Sequence, residues 1–247
     1  MEIKINKQYI HTKDDFIKYI TKNNKDLDPN KQDEQLIYEN IILVRNYITT
    51  NDLNDILQLE MFKYSLNKIS KINLTANNLE LIPDIFKSLN QLKILILNNN
   101  KITKISNLDN LINLEKLELR GNKINKIENL NNLNHLKKLT LSCNLINNIE
   151  ENDLPILDEL TELGLFGNYL GIENKKFDKD INAQNIEKLK KLSEIIKLKF
   201  KRLEGLFIGG NFFTNLINDL SNDCKDGNYK IIINSIMPDI VIDGQNL

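Results

Sequence analysis

The central part of the chain repeats one pattern of leucine and asparagine residues three times in succession. The three stretches read LKILILNNNKI, LEKLELRGNKI and LKKLTLSCNLI, and each has the form L-x-x-L-x-L-x-x-N-x-I. The asparagines recur at one constant interval, from Asn100 to Asn122 and again to Asn144. A fixed period of this length indicates structural units that stack on one another, so that each unit contacts only its neighbours.

Three less regular copies of the pattern flank this stretch. They read ISKINLTANNL, LTELGLFGNYL and LEGLFIGGNFF, and their asparagines are Asn77, Asn168 and Asn211. The last interval is nearly twice as long as the others and contains no further copy, but apolar residues there recur at helical spacing. We therefore predict six repeats over residues 66–213, one of them enlarged by a helical insertion at about 175–201. The helix should run from about Gln184 to Phe200, with one apolar stripe formed by Ile186, Leu189, Leu192, Ile196 and Phe200.

Each L-x-x-L-x-L segment predicts a short strand. Alternate residues of a strand point to opposite faces, so Leu117 and Leu119 should face the interior while Glu118 faces out. Parallel strands of successive repeats then cover each other's leucines, at roughly 1.5 to 3 kcal/mol per fully buried side chain. We expect the repeat asparagine to satisfy backbone groups in the turn after each strand, because its amide carries both donors and an acceptor.

The N-terminal segment, 1–65, does not match the repeat and predicts a helical cap. Thr12 and Asp15 have the spacing of a capping box before a short helix. Apolar residues at helical spacing predict a second helix from about Glu34 to Tyr47, and Asn51 can cap a third. We expect this segment to cover the open end of the first repeat, the alternative being an arm that binds a partner. The third helix would carry Leu53, Ile56 and Leu57.

Composition restricts the classes of partner. The 33 basic and 34 acidic residues give a formal net charge of −1, which argues against a whole surface tuned to polyanions. Two cysteines, Cys143 and Cys224, and a start without a signal-like apolar run lead us to expect a reducing compartment, cytoplasmic or nuclear. No stretch approaches the roughly 18 apolar residues that span a bilayer, so we expect no membrane partner.

The repeat resembles the leucine-rich repeat family, specifically the 22-residue class typified by the regulatory subunit of type-one protein phosphatase. The segments KITKISNLDNLINL and KINKIENLNNLNHL resemble the I-x-x-I-x-x-L-x-x-L tail of that class. Residues 228–244, NYKIIINSIMPDIVIDG, are similar to the family's C-terminal cap. Tyr229, Pro238, Asp243 and Gly244 match the cap, and Met237 replaces its usual leucine.

The resemblance implies an α/β fold, a leucine-rich repeat solenoid whose curved parallel sheet lines the concave face. The convex side should be short and irregular or helical, because only about 11 residues of a regular repeat remain for the return path. We predict three parts: a helical N-terminal cap over 1–65, the repeats over 66–213 and a C-terminal cap over 214–247.

The alternation of inward and outward residues in each strand also predicts which side chains line the concave face. Most are charged or small, but four are large and apolar and are not needed by the core, which makes them candidate anchors for a partner. The small residues Gly164, Gly205 and Gly209 should leave the rings of Phe166 and Phe207 exposed beside a shallow pocket. The alternative is that a cap or the inserted helix covers these two rings. The candidate partner-binding residues are Ile94, Ile96, Lys116, Glu118, Arg120, Phe166 and Phe207.

The inserted helix also carries a basic face. Such a face could meet nucleic acid, an anionic membrane or an acidic protein. A solvated surface is the alternative, because Glu187 and Glu194 interrupt the face and no aromatic residues are interleaved for base stacking. The basic residues are Lys188, Lys190, Lys191, Lys197, Lys199, Lys201 and Arg202.

Residues that carry catalysis are sparse. His11 and His135 are the only histidines, and no metal-ligand spacing, phosphate loop or Ser-His-Asp set is present. Cys224 lies in a Cys-x-Asp triplet like that of bacterial leucine-rich-repeat ubiquitin ligases, but those enzymes carry it in a large separate helical domain. We therefore expect a non-enzymatic, monomeric scaffold without a cofactor that binds another protein, for example a phosphatase-regulatory adaptor. The alternative is a nuclear ribonucleoprotein-associated adaptor, like the spliceosomal A-prime protein, that uses the basic helix; nucleic acid itself is not expected as a partner.

Overall fold

The computed structural model describes residues 2–6, 12–23, 39–59, 62–63, 65–172, 179–212 and 228–243. Within these residues the strands form one parallel sheet, in which every strand pairs with its neighbours along the chain. The strands are β1 (Glu2–Asn6), β2 (Asn40–Val44), β3 (Lys71–Asn73), β4 (Ile94–Ile96), β5 (Lys116–Glu118), β6 (Lys138–Thr140), β7 (Glu162–Gly164), β8 (Gly205–Phe207) and β9 (Val241–Ile242).

The register of the sheet aligns the leucines of successive repeats. Leu95, Leu117, Leu139 and Leu163 lie directly opposite one another along β4 to β7, and all four are buried. In β4 to β6 the residues on either side of these leucines face the other side of the sheet and are only partly buried. The core is therefore a continuous apolar column behind the sheet, and the predicted α/β solenoid is confirmed.

The return segments on the convex side are short, as the repeat length predicts. They contain 3-10 helices at Asp84–Ser88 and Glu151–Asp153, with turns elsewhere. Asn129 adopts a positive φ of 58° and donates its side-chain amide to the carbonyl oxygen of Ile105 at 2.7 Å. Asn107 makes the equivalent bond one repeat earlier, so asparagines join neighbouring repeats on this side as well.

Asn122 shows how the repeat asparagine stabilises the stack. Its Oδ1 accepts a hydrogen bond from Ile102 N at 3.0 Å, and its Nδ2 donates to Leu97 O at 3.0 Å and to Leu119 O at 2.9 Å. Ile102 and Leu97 belong to the preceding repeat, so one amide closes its own turn and ties two repeats together. Equivalent bonds are made by Asn77, Asn100, Asn144, Asn168 and Asn211.

The turn before each of these asparagines uses the left-handed backbone conformation. Glycine adopts it without strain at Gly121, where φ is 68°. Ala76 and Cys143 hold the equivalent positions with φ of 58° and 56°, which costs an L-residue roughly 1–2 kcal/mol. The stacked asparagines therefore hold the turn in this conformation even where the residue does not favour it.

The helices lie at the two ends of the array and in the enlarged repeat. The first helix begins after the predicted capping box, in which Asp15 N donates to Thr12 Oγ1 and Thr12 N donates to Asp15 Oδ2, both at 3.2 Å. The next is capped by Thr49, not by Asn51 as the sequence led us to expect. The helices are α1 (Lys13–Asn23), α2 (Thr50–Leu57), α3 (Lys179–Lys199) and α4 (Asn228–Ile236).

The predicted helix from Glu34 to Tyr47 is wrong wherever the structure describes it. Residues 40–44 form β2, which pairs with β1 on one side and β3 on the other; residues 34–38 lie outside the described residues. Asn46 follows β2 at the position of a repeat asparagine, and its N–H donates to Asn77 Oδ1 at 3.0 Å. The N-terminal segment therefore extends the sheet by two strands in addition to its helices. The division of the chain at residues 65 and 213 stays a prediction.

The inserted helix is present as α3, although it begins at Lys179 rather than near Gln184. The predicted stripe faces the protein: Leu189, Leu192, Ile196 and Phe200 are buried, and Ile186 is half-buried.

The C-terminal cap continues the sheet beyond β8 by means of α4 and β9. Tyr229 OH donates to Asp243 Oδ2 at 2.6 Å, and Asp243 Oδ1 accepts from Ile208 N at 2.7 Å and Gly209 N at 3.0 Å. Asp243 thus accepts from the N–H of Ile208, whose equivalent in the preceding repeat, Leu165 N, donates to the backbone oxygen of Phe207. Gly244, the last residue of the cap pattern, lies outside the described residues.

Candidate protein-binding face

The register of the sheet arranges the concave side chains in rows that cross the strands. Each row takes one position from every strand, and neighbouring members are about 4.8 Å apart along the row. Three rows matter for β5 to β8, the last of them lying just after the strands. They are Lys116, Lys138, Glu162 and Gly205; Glu118, Thr140, Gly164 and Phe207; and Arg120, Ser142, Phe166 and Gly209.

The first two rows contain a charged cluster whose members satisfy one another. Glu118 accepts hydrogen bonds from Lys116 Nζ at 2.8 Å and from Asn98 Nδ2 at 2.7 Å, and Lys138 Nζ forms an ion pair with Glu162 Oε2. Partial burial raises the pKa of Glu118, but the hydrogen bonds from Lys116 and Asn98 outweigh it, so the pKa lies below its ordinary value. These four charges are therefore largely neutralised within the protein.

Arg120 is the exception on this face. Its backbone N–H donates to Asn98 Oδ1 at 2.8 Å, but its exposed guanidinium forms no ion pair with any residue that the structure describes. A guanidinium presents five donors and pairs readily with carboxylates. Arg120 is therefore the cation of these three rows that remains available to a partner.

Phe166 and Phe207 both lie on the concave side, as the register predicts. Phe166 is 45% exposed, and Phe207 is half-buried. Each ring lies against a glycine: a Cβ on Gly209 would be 3.4 Å from Phe166 Cδ2, and a Cβ on Gly205 would be 3.5 Å from Phe207 Cε2. The absence of a side chain at these glycines therefore lets each ring pack against the backbone, and the described residues leave one face of each ring accessible.

An open groove of about 510 Å³ lies between the phenylalanines and the charged rows. Its volume is typical of a site for a few side chains of a partner or for a small molecule. Its lining combines apolar rings with polar groups: Asn98, Glu118, Arg120, Lys138, Thr140, Ser142, Glu162, Gly164, Phe166, Phe207 and Asp243.

The remaining predicted concave residues, Ile94 and Ile96, lie on β4 outside this groove. Both are half-buried, because they stand between the side chains of β3 and β5. The groove therefore brings together five of the seven candidate residues if Lys116 is counted through its contact with Glu118.

The basic face of α3 lies apart from this groove. Lys191 pairs with Glu150 at 3.2 Å, and Lys197 Nζ donates to Ile236 O at 2.8 Å. Of the other predicted basic residues, Lys199 is half-buried. The rest are exposed, namely Lys188, Lys190, Lys201 and Arg202. Two of the cations therefore serve contacts within the protein.

The residues considered for catalysis are scattered. His135 Nδ1 lies 3.2 Å from Glu159 Oε1 at an exposed site, while His11 and Cys224 lie outside the described residues. Over the described ranges, no group of three or more His, Cys, Asp or Glu is placed to hold a metal ion. The same ranges contain no helix with the length and apolar character needed to cross a bilayer.

Sequence reasoning missed a second exposed row, at the edge of the sheet where the strands end. It consists of the residues that follow the last five of the six repeat asparagines, and we call it the rim row. Four successive members donate backbone N–H groups to the preceding repeat, each at 2.8 Å. The signal is visible in the sequence, where the triplets beginning with the asparagine read NKI, NKI, NLI, NYL and NFF. The rim row is Lys101, Lys123, Leu145, Tyr169 and Phe212.

Comparison with known proteins places the fold. A scan of protein-family models found no match, and neither did a search of curated proteins. Among solved structures, an internalin (InlF) from Listeria monocytogenes is 19% identical with a TM-score of 0.52, over 88% of this chain and 59% of that one. TLR13 in a complex with ssRNA13 is 20% identical with a TM-score of 0.51, over 73% of this chain and 24% of that one.

A leucine-rich repeat protein from Leptospira interrogans is 23% identical with a TM-score of 0.49, over 84% of this chain and 55% of that one. The chain thus spans little more than half the length of the two bacterial proteins. The finer likeness to the phosphatase-regulatory repeat class stays a prediction. The repeat pattern and the open sheet of nine strands among the described residues, together with the likeness to InlF, give this chain the leucine-rich repeat fold.

Proposed function

We propose that this protein is a non-enzymatic scaffold that binds a partner protein through the concave groove. The observation that carries the proposal is the open ring of Phe166 beside a groove of about 510 Å³. A large aromatic side chain that the core does not use and that lines a groove on the concave surface has the character of an interface anchor.

The energetics of the groove favour binding. Covering an exposed aromatic ring contributes up to about 1.5–3 kcal/mol. The strands fix the positions of the side chains, so little conformational entropy is lost when a partner docks. The cluster around Glu118 is already hydrogen-bonded, which limits the number of charges that a partner must match.

The identity of the partner is a finer proposal. The resemblance to the regulatory subunit of type-one protein phosphatase makes the catalytic subunit of that enzyme the first partner to test. The nuclear ribonucleoprotein alternative depends on the basic face of α3, where Lys191 and Lys197 are engaged within the protein. We rank it second for that reason.

The test is affinity purification with a matched pair of variants. Phe166→Asp places a charge at the proposed anchor, whereas Ile156→Asp makes the same change at an exposed residue on the convex side. We expect Phe166→Asp to lose partners that both the unaltered chain and Ile156→Asp retain, with thermal stability nearly unchanged. Retention of the same partners by Phe166→Asp would contradict the proposal.

A further inference from the structure

The rim row changes character along the array. Lys101 and Lys123 are exposed and form no ion pair within the described part of the chain. Leu145 and Tyr169, the next two members, are exposed apolar or aromatic residues, and the ring centroid of Phe212 lies 5.5 Å from that of Tyr169. The row is therefore basic over the β4 and β5 repeats and apolar over the β6 to β8 repeats.

The neighbouring concave row changes in the same order. Arg120, whose guanidinium forms no ion pair over the described ranges, belongs to the β5 repeat, and Phe166 belongs to the β7 repeat. Two parallel rows thus present cations at one end and apolar side chains at the other. The segregation gives this edge of the sheet a polarity that a partner must match.

We propose that this edge binds an acidic–aromatic segment of a partner protein. The acidic end lies over Lys101, Lys123 and Arg120, and the aromatic or aliphatic end lies over Leu145, Tyr169 and Phe166. The proposal rests on the proposed function, since it specifies the chemistry of the partner segment that extends from the concave groove onto the rim row.

The dimensions of the row set the length of the segment. From the β4 loop to the β8 loop there are four strand intervals, or about 19 Å at about 4.8 Å each. An extended peptide covers this distance with roughly six residues. A helix would need about 13.

Charge complementarity favours a polypeptide over single-stranded nucleic acid. Each nucleotide carries both a phosphate and a base, so a nucleic-acid site interleaves cations with aromatic rings. Here the cations and the rings occupy separate ends of the rows.

The test uses defined peptides. A fluorescein-labelled 12-residue peptide with four Asp or Glu residues followed by Phe, Leu and Tyr is titrated with the full chain in a salt series. The two control ligands in the assay are a peptide with Lys in place of the acidic residues and a 12-nucleotide oligo(dT). We expect the acidic–aromatic peptide to bind at least about 10-fold more tightly than either control and to weaken as salt rises.

Matched variants assign the binding to the rim. The double variant Lys101→Glu with Lys123→Glu should weaken binding of the acidic–aromatic peptide roughly 10-fold, and Tyr169→Ser should weaken that binding by a similar factor. Lys190→Glu with Lys201→Glu makes the same charge change on α3 and in the turn just after it, and it should have no effect. Phe207→Ser probes the groove alone, because Phe207 is not part of the rim row.

Each outcome decides between the alternatives. Equal effects of the two charge-reversal pairs, or tighter binding of oligo(dT), would overturn the proposal. Loss of binding with Phe207→Ser but not with the Lys101 and Lys123 pair would overturn the rim and leave the groove as the binding site. Absence of measurable peptide binding to the unaltered chain would overturn the rim proposal, while the affinity purification with Phe166→Asp still decides the proposed function.

Discussion

Replacing the repeat asparagine of the central repeat is expected to destabilise the whole array. In Asn122→Ala, the N–H of Ile102 and the carbonyl oxygens of Leu97 and Leu119 lose their bonds to the side chain, while Asn122 itself is only 7% exposed. A buried hydrogen bond contributes about 1 kcal/mol net, and leaving its partner unpaired costs about 1–3 kcal/mol. We therefore expect the free energy of unfolding to fall by about 3–5 kcal/mol.

Equilibrium unfolding in urea measures this loss. The midpoint should shift to lower urea with little change in the slope, since the native surface is retained. Asn125→Ala is the matched control, because Asn125 is exposed and has no side-chain hydrogen bond to any described residue; its effect should stay within about 0.5 kcal/mol. Asn122→Asp keeps the shape but removes both donors, and it should be at least as destabilising as the alanine. A loss below about 1 kcal/mol for Asn122→Ala would refute the role assigned to the amide.

Further predictions concern the cap, the turns and the charged cluster. Tyr229→Phe removes the hydrogen bond to Asp243 and should lower the free energy of unfolding by about 1–3 kcal/mol in the same urea assay, whereas no change would refute the cap contact. Gly121→Ala should destabilise by roughly 1–2 kcal/mol because φ is 68°, while Ala76→Gly should be neutral or stabilising in thermal melts; the reverse order would contradict the turn conformation. The folded-state pKa of Glu118 lies below its ordinary value of 4.5, so its contribution is present above that pH and is lost as pH falls through the lowered value; Glu118→Gln should flatten the acid side of the stability profile.

The repeat could be read from the sequence because two independent signals coincide there. The leucine spacing fixes which side chains enter the core, and the asparagine fixes where each strand ends. Both are required by hydrogen bonds and packing that every regular repeat makes identically. The C-terminal cap was recognisable for a similar reason, since Tyr229 and Asp243 are joined to each other and to β8.

β2 was missed because its apolar residues satisfy two periodicities. Ile41 and Leu43 alternate as a strand requires, yet Ile37, Ile41, Val44 and Ile48 also recur at helical spacing. The interval from Asn46 to Asn77, which is longer than a regular repeat, hides the pattern further. Pairing with β1 and β3 decides the outcome, and a sequence pattern within one segment carries no information on such pairing.

The candidate face was predictable only in part. Strand register placed Phe166 and Phe207 on the concave side. It gave no means of knowing that Lys116 and Lys138 pair with glutamates, whereas Arg120 forms no ion pair with the described residues. The rim row escaped attention because it lies after the strands, where alternation no longer applies.

Because each repeat asparagine binds its own and the preceding repeat, the array can change in length only by whole repeats. Asn122 and Asn144 bind equivalent partners one repeat apart, so excising residues 101–122 would set Asn144 onto the groups that Asn122 now binds in the β4 repeat. Excising half a repeat would instead leave the asparagine that follows the junction facing the wrong carbonyl of the preceding repeat. The rim row would lose Lys101 but keep Lys123, whereas the concave rows would lose Lys116, Glu118 and Arg120. Insertions and deletions of one full period are therefore the changes that this protein can accept while it adjusts the reach of its binding face.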